Sequence, residues 1–105
     1  MAKITVYASV WSSDPGIVNV SSYEGSINAA DVQPEQNLKS IVTSQWWRED
    51  VAYKFAPLYL KELREDGAVF LYGEREVVVP FGKTQSLEEV GLSYAYGDIA
   101  VRIDQ

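Results

Sequence analysis

Apolar and polar residues alternate over residues 3–11, and this period of two predicts the first strand of the chain. The apolar members share one face of that strand: Ile4, Val6, Ala8 and Val10. Turn residues follow at 12–16, where a proline fixes φ and a glycine tolerates positive φ. Residues 17–23 are again rich in β-forming residues, so the pattern predicts an opening hairpin and then a loop over residues 24–33.

Two apolar stripes in the middle of the chain predict a helical region between Pro34 and Asp66. Pro34 fits the first turn of a helix, Glu35 suits its positive end, and Gly67 supplies a C-terminal cap. At about 100° per residue, the stripes lie on roughly opposite faces of an unbroken helix. The first stripe contains Leu38, Ile41, Val42, Ala52, Tyr53, Ala56, Leu60 and Leu63. The second contains Trp47, Val51, Phe55 and Leu58.

Either a continuous or a broken helix explains these stripes. A continuous helix exposes the second stripe, which must then meet a partner or a second copy of the chain. A break at Ser44, which can cap a new helix, or at Pro57, which cannot donate to residue 53, lets both stripes turn inward. We favour the broken helix and expect at least one of Trp46 and Trp47 to stay partly exposed.

Residues 68–72 and 76–81 predict a hairpin around Gly73-Glu74, a dipeptide that suits a type II′ turn. Pro80 places the second of these strands at a sheet edge, or marks its end, because proline cannot donate to a strand ladder.

Three further segments complete the predicted order of elements. Residues 86–90 suggest one helical turn, and residues 92–96 and 99–103 predict a last hairpin around Gly97-Asp98. The order is β-β-α-β-β-β with room for a sixth strand. This order predicts an α+β fold, in which one broken helical layer covers a mostly antiparallel sheet.

The length of 105 residues fits a single domain, and 47% hydrophobic residues can fill a core. The expected domain covers residues 1–105. No window approaches the roughly 18 apolar residues of a membrane span, and the first residues do not resemble a signal peptide. We therefore expect a cytoplasmic protein that does not associate with membranes.

The chain contains no histidine and no cysteine. Their absence removes the usual general base at neutral pH, the commonest zinc ligands and the thiolate nucleophile. No glycine-rich phosphate loop, EF-hand spacing or Ser-x-x-Lys pair replaces them. Adjacent carboxylates such as Glu49-Asp50, Glu65-Asp66 and Glu88-Glu89 would diverge by about 100° on a helix and are interpreted as solvated charges. The sequence predicts no enzyme, no metal site and no cofactor.

The net charge of −6 argues against direct nucleic-acid binding and is compatible with a basic protein partner. Tryptophan and tyrosine are favoured where proteins bind one another. Tyr94 and Tyr96, two apart in a predicted strand, would form an aromatic patch with Tyr7 or Trp11. The candidate protein-binding residues are Trp46, Trp47, Glu49, Asp50, Tyr94 and Tyr96.

The leading hypothesis is a small acidic, non-catalytic domain, monomeric or homodimeric, that binds another protein. One form of it is an inhibitor encoded by a phage or mobile element, of the anti-CRISPR or anti-restriction type, by analogy of size and charge. The alternative is a structural or assembly protein, such as a virion or scaffold component, that self-associates through sheet edges or the second helical stripe. The third is an enzyme that uses carboxylates, tyrosine or lysine.

Overall fold

Antiparallel strands in two sheets dominate the computed structural model. The structure describes residues 1–12, 20–45, 52–91 and 95–105. Its strands are β1 (Lys3–Ser12), β2 (Val20–Asn28), β3 (Leu58–Arg64), β4 (Gly67–Tyr72), β5 (Arg75–Pro80), β6 (Thr84–Gly91) and β7 (Ala95–Asp104). Between β2 and β3 lie a 3₁₀ turn, Ala29–Asp31, and a four-residue helix α1, Ser40–Thr43. The predicted combination of antiparallel sheet with helix is confirmed in this coarse form.

The four-stranded sheet has the order β2-β1-β7-β6. Its two central strands are the first and last strands of the chain, and they pair from Lys3 with Asp104 to Ser12 with Ala95. The predicted inner face of β1 is confirmed, because all four of its alternating apolar residues are buried. The alternate residues of β7 bury the matching face: Ala95, Gly97, Ile99, Val101 and Ile103.

The three-stranded sheet has the order β3-β4-β5. Central strand β4 is apolar and buried along nearly its whole length, with Phe70 fully inaccessible. The predicted hairpin is confirmed: Gly73 has φ of 61° in the turn that joins β4 to β5. Pro80 is the last residue of β5, which is an edge strand, as its missing N–H predicts.

One hydrophobic core contains residues of both sheets and of the segment between β2 and β3. That segment contributes Leu38, Val42 and Phe55, each no more than 2% exposed. The amide oxygen of Asn37 accepts hydrogen bonds from the backbone N–H groups of Lys39 and Leu58, both at 3.1 Å. These bonds hold the start of β3 against the segment that precedes α1.

The predicted interruption of the helical region is confirmed, but its predicted extent is wrong. Helix α1 covers only Ser40–Thr43, and it does not begin at Pro34, because Glu35 has φ of 61°. Residues 58–64 form strand β3 instead of helix. Gly67 therefore begins β4 and caps no helix. The physical reason is tertiary: β4 is buried and needs hydrogen-bonding neighbours on both edges, and pairing with it overrides the helix-forming Leu, Lys, Glu and Arg residues of β3.

Because the predicted helix is replaced by a short helix and a strand, the apolar stripes do not separate a buried face from an exposed one. Phe55 and Leu58 of the second stripe are buried, whereas Tyr53 and Leu63 of the first are 81% and 50% exposed. Trp47 and Val51 lie outside the described residues. Members of both stripes thus turn inward, as expected for an interrupted segment.

The predictions for the C-terminal third also need correction. Gly97-Asp98 is not a turn, because β7 continues through it from Ala95 to Asp104. Residues 86–90 are not helical, because they belong to β6, which pairs with β7. In both places the unbroken period of two in β7 dominates over local turn and helix signals.

The predicted loop over residues 24–33 is replaced by the second half of β2 and the 3₁₀ turn. Gly25 lies in this half of β2 with Ile41 directly above it, so a side chain there would collide with Ile41. The glycine that suggested a loop is needed for close approach of the segment that carries α1.

Candidate functional site

Polar side chains cover the outer face of the four-stranded sheet, opposite its buried face. Hydroxyl groups face one another across β1 and β2, with Thr5 Oγ1 to Ser26 Oγ and Ser9 Oγ to Ser22 Oγ both at 3.4 Å. One end of this face is different, because it carries two large aromatic side chains. Trp11 and Tyr96 are paired across β1 and β7, and their rings stack with centroids 5.8 Å apart and planes 17° apart.

The Tyr96 ring lies over Gly91, its partner on β6. A Cβ atom at Gly91 would be 2.8 Å from Tyr96 Cε1, so the ring occupies the space that a side chain would fill. Tyr96 is nevertheless 37% exposed. We call Trp11, Tyr96 and Gly91 together the shelf.

Two carboxylates stand beside the shelf, one step along the same face. Asp98 follows Tyr96 by two residues on β7, Glu89 precedes Gly91 by two on β6, and the register pairs Asp98 with Glu89. Like charges directly opposite each other on antiparallel strands destabilise a sheet. Within the described part of the chain neither carboxylate forms an ion pair. We call Glu89 and Asp98 the acidic pair.

The basic side chains of this face stand at its other end. Arg102 is four residues beyond Asp98 on β7, and its Nε donates to Asp104 Oδ2 at 2.9 Å. The hydrogen bond and charge of Arg102 lower the pKa of the Asp104 carboxyl. Arg102 is thus already neutralised, and at about 3.4 Å per strand residue it lies too far along β7 to neutralise the acidic pair.

A second polar cluster joins the two sheets. Tyr72 of β4 donates its hydroxyl hydrogen to Glu88 of β6 and accepts one from the Ala56 N–H at 3.2 Å. Arg75 lies over the Tyr72 ring at 5.7 Å and donates to the Leu87 carbonyl at 2.8 Å. Burial and the bond to Glu88 raise the pKa of Tyr72. A tyrosine that holds its proton and has both hydrogen bonds satisfied acts as a structural link between the sheets.

One concave surface of the described residues offers little chemistry. A groove of about 610 Å³ is lined by Glu35, Tyr59, Leu60 and Leu71, which include one carboxylate and no paired acid and base. Among the residues described, no three carboxylates gather as metal ligands. The helices of the described ranges are also too short or too polar to cross a membrane.

The predicted site residues divide into one that the structure describes and five that it does not. Tyr96 is half-exposed and stacks with Trp11, which was one of its two expected partners. Tyr7, the other, lies four residues from Trp11 on β1 and pairs with Ala100. The other five predicted site residues lie outside the described residues: Trp46, Trp47, Glu49, Asp50 and Tyr94.

Sequence reasoning missed the acidic pair and Gly91. The sequence pattern predicts a turn at Asp98 and a helical turn at Glu89, and neither prediction places these carboxylates beside Tyr96. The alternation of buried residues through β7 was the available signal, since it puts Tyr96 and Asp98 on one outer face. Glu89 had no comparable signal, because its position depends on the register of β6.

Comparison of the chain with models of known protein families, with curated proteins and with solved structures gave no match.

Proposed function

We propose that this chain is a small acidic, non-catalytic domain that binds another protein through the shelf. The observation that carries the proposal is the stacked, half-exposed Trp11–Tyr96 pair beside the acidic pair on an otherwise polar sheet face. Stacked aromatic rings offer a large contact area with little conformational freedom to lose, which is why such residues dominate binding energies at protein interfaces.

The charge of the chain supports a partner with a basic surface. The net charge of −6 favours encounter with a positively charged protein and disfavours approach to nucleic acid. An inhibitor that occupies the basic functional surface of its target is one form that such a domain takes.

Quantitative affinity capture from a host lysate tests this function. The wild-type chain is compared with Trp11→Ala and Tyr96→Ala, and with Tyr53→Ala as the control, since Tyr53 is 81% exposed and far along the chain from the shelf. We expect a protein that the wild type and the control capture equally and that both shelf variants lose. The captured protein is then purified and titrated against all four chains.

Gly91→Ala adds a variant that moves the Tyr96 ring without removing an aromatic group. Thermal melts verify that every variant is folded. If folded shelf variants capture every protein as well as the wild type does, the shelf is not a binding surface and the proposal is wrong.

A specific observation also favours the assembly hypothesis as a second candidate. Strand β5 is an edge of the three-stranded sheet, and its Val78 is 58% exposed. Exposed apolar edge strands pair with other chains, and a charge on the edge prevents such pairing. Light scattering after size exclusion distinguishes the candidates: assembly through β5 predicts oligomers that Val78→Lys disperses, whereas a binding domain stays a monomer or dimer in both forms.

A further inference from the structure

We propose that β5 pairs with β5 of a second copy of the chain, about a two-fold axis through Val78, to form a closed dimer. The proposal rests on the second candidate function above, whose partner it names, and it does not involve the shelf. In the dimer the two three-stranded sheets join into one sheet of six strands.

Four of the described strands lie at sheet edges, and β5 is the least protected of them. Strands β3 and β6 each contain a register shift, which disturbs an edge strand and opposes further pairing. Strand β2 is weakened by a glycine in its interior, Gly25. Strand β5 keeps a regular register along its whole length and contains three successive valines, of which Val78 is 58% exposed. A regular, apolar edge is a template for another strand.

The backbone of β5 offers hydrogen bonds at this edge. The Phe81 N–H donates to the Asp66 carbonyl at 3.0 Å and continues the ladder between β5 and β4. Because alternate residues of an antiparallel strand turn their backbone groups to opposite sides, the N–H groups of Glu76 and Val78 point away from β4. Pro80 has no N–H, but it is the last residue of β5 and weakens only the end of the edge.

A two-fold axis through Val78 makes β5 complementary to itself. Val78 then lies opposite its own copy, Val77 opposite Val79 of the second copy, and Glu76 opposite Pro80 of the second copy. Apolar residues meet apolar residues, and no like charges are opposed. An axis one residue nearer the turn places Glu76 opposite Val78, and an axis one residue further on brings Pro80 opposite Val78, where a hydrogen bond is lost.

The same axis continues the packing of the sheet. Val78 is directly opposite Val69 of β4, which is 1% exposed, so the dimer extends this valine row into the second copy and covers Val78. On the other face, Val77 and Val79 pack with the hydrophobic core, and their row is extended in the same way. A contact of this kind uses the same surface on both copies, so association stops at two.

Light scattering after size exclusion, over a range of protein concentrations, tests the dimer. We expect the wild type to reach twice the 11.8 kDa mass of one chain. Val78→Lys should weaken association by about tenfold or more, because two ammonium groups then face each other across the axis. Leu63→Lys is the matched control, since Leu63 is a 50% exposed residue on β3, the other edge of the same sheet. Circular dichroism verifies that both variants are folded.

Salt separates this dimer from one held by charge. Each copy carries a net charge of −6, so screening of their repulsion should tighten an apolar dimer as salt rises. A dimer that dissociates as salt rises rests on charge attraction and overturns the proposal.

Single cysteines locate the axis, because the chain contains no cysteine of its own. Residues paired on the axis have Cα atoms about 5.5 Å apart, within the range of a disulfide. We expect oxidation of Val78→Cys to give a covalent dimer. Val77→Cys should not, because diagonal neighbours lie about 7–8 Å apart. A covalent dimer from Val77→Cys but not from Val78→Cys would overturn the proposed axis.

The remaining outcomes separate this dimer from the functions proposed above. A monomer at every concentration, or equal dispersal by Val78→Lys and Leu63→Lys, shows that β5 is not the contact and overturns the proposal. Larger oligomers that Val78→Lys disperses support the assembly function and overturn the closed dimer. Protein capture that depends on the shelf supports the binding function whether or not the dimer forms.

Discussion

On the outer side of the three-stranded sheet, Lys61 of β3 forms an ion pair with Glu76 of β5, so the pair spans the central strand. At the shelf end of the four-stranded sheet, Glu89 and Asp98 face each other instead. A second ion pair lies on β3, where Arg64 Nη2 is 2.8 Å from Glu62 Oε1. The first surface satisfies its own charges, whereas the second keeps two like charges together.

Exposed ion pairs contribute little to stability, and a like-charge pair costs little, so folding alone does not explain the difference. The difference matters more for recognition. On the first surface the ion pairs cancel the charges locally, whereas the acidic pair leaves two negative charges uncompensated beside the stacked aromatic rings. The two outer faces therefore differ in whether their described carboxylates are paired within the chain.

The two outer faces belong to one cooperative unit if both sheets share a core, and Phe55→Ala tests this with the largest expected effect. Phe55 is 2% exposed in the core that the two sheets share. Its truncation should lower the free energy of unfolding by about 3–5 kcal/mol, because it removes buried area and leaves a cavity.

Urea denaturation followed by circular dichroism and by tryptophan fluorescence measures this effect. Tyr53→Ala, two residues away and 81% exposed, should change the stability by less than about 0.5 kcal/mol. Two separate transitions, or equal losses in the two variants, would mean that the sheets do not share one core.

Tyr72→Phe weakens the link between the sheets and should have the next largest effect. It leaves the Ala56 N–H without its acceptor and the Glu88 carboxylate without its donor. Loss of a partner costs about 1–3 kcal/mol for a fully buried polar group, and because these two groups are half-buried we expect a loss near the lower end of that range. Urea midpoints at neutral pH measure the loss, and Tyr53→Phe is the control that removes an exposed hydroxyl group. A Tyr72→Phe variant as stable as the wild type would contradict the linking role.

The same residue predicts a loss of stability at alkaline pH. Burial, and secondarily the hydrogen bond to Glu88, raise the pKa of Tyr72 in the folded chain. An unfolded tyrosine loses its proton near pH 10, so the stabilisation is complete below about pH 10 and declines as the pH rises toward the raised folded value. The difference in urea midpoint between wild type and Tyr72→Phe should therefore shrink from pH 8 to pH 11. A constant difference would contradict the assignment.

The smallest expected effect tests most directly how the two outer faces differ. Replacement of a glutamate by glutamine should increase the stability of the chain on one face and decrease it on the other. Glu89→Gln removes a like-charge contact and should raise the free energy of unfolding by on the order of a few tenths of a kcal/mol. Glu76→Gln removes the ion pair that holds the pKa of Glu76 low and should reduce the melting temperature slightly.

Thermal melts at low salt measure both changes. High salt should diminish both, because it screens exposed charges. Changes of the same sign in the two variants would show that the outer faces do not differ in the way described.

Some parts of the fold follow from short stretches of sequence. The alternation in β1, the Gly73 turn and the edge position of Pro80 each depend on a local period or on one residue's backbone chemistry. Tyr96 and Trp11 were expected to share a patch for the same reason, since alternate residues of a strand point to one face. The structure retains these features because the residues that pack against them favour the same backbone conformation as the local sequence does.

Other parts of the fold depend on strand pairing between segments that are distant in the sequence. Residues 58–64 have a helix-forming composition, yet β4 recruits them as an edge strand. Glu88 and Glu89 are indistinguishable by composition, and the register shift between Ser86 and Glu88 separates them. It turns Glu88 inward to Tyr72 and leaves Glu89 on the outer face beside Asp98. A shift of one residue exchanges the two faces of a strand. The sequence therefore determined local features such as strand faces and turns, and strand pairing decided which side chains became neighbours across the sheets.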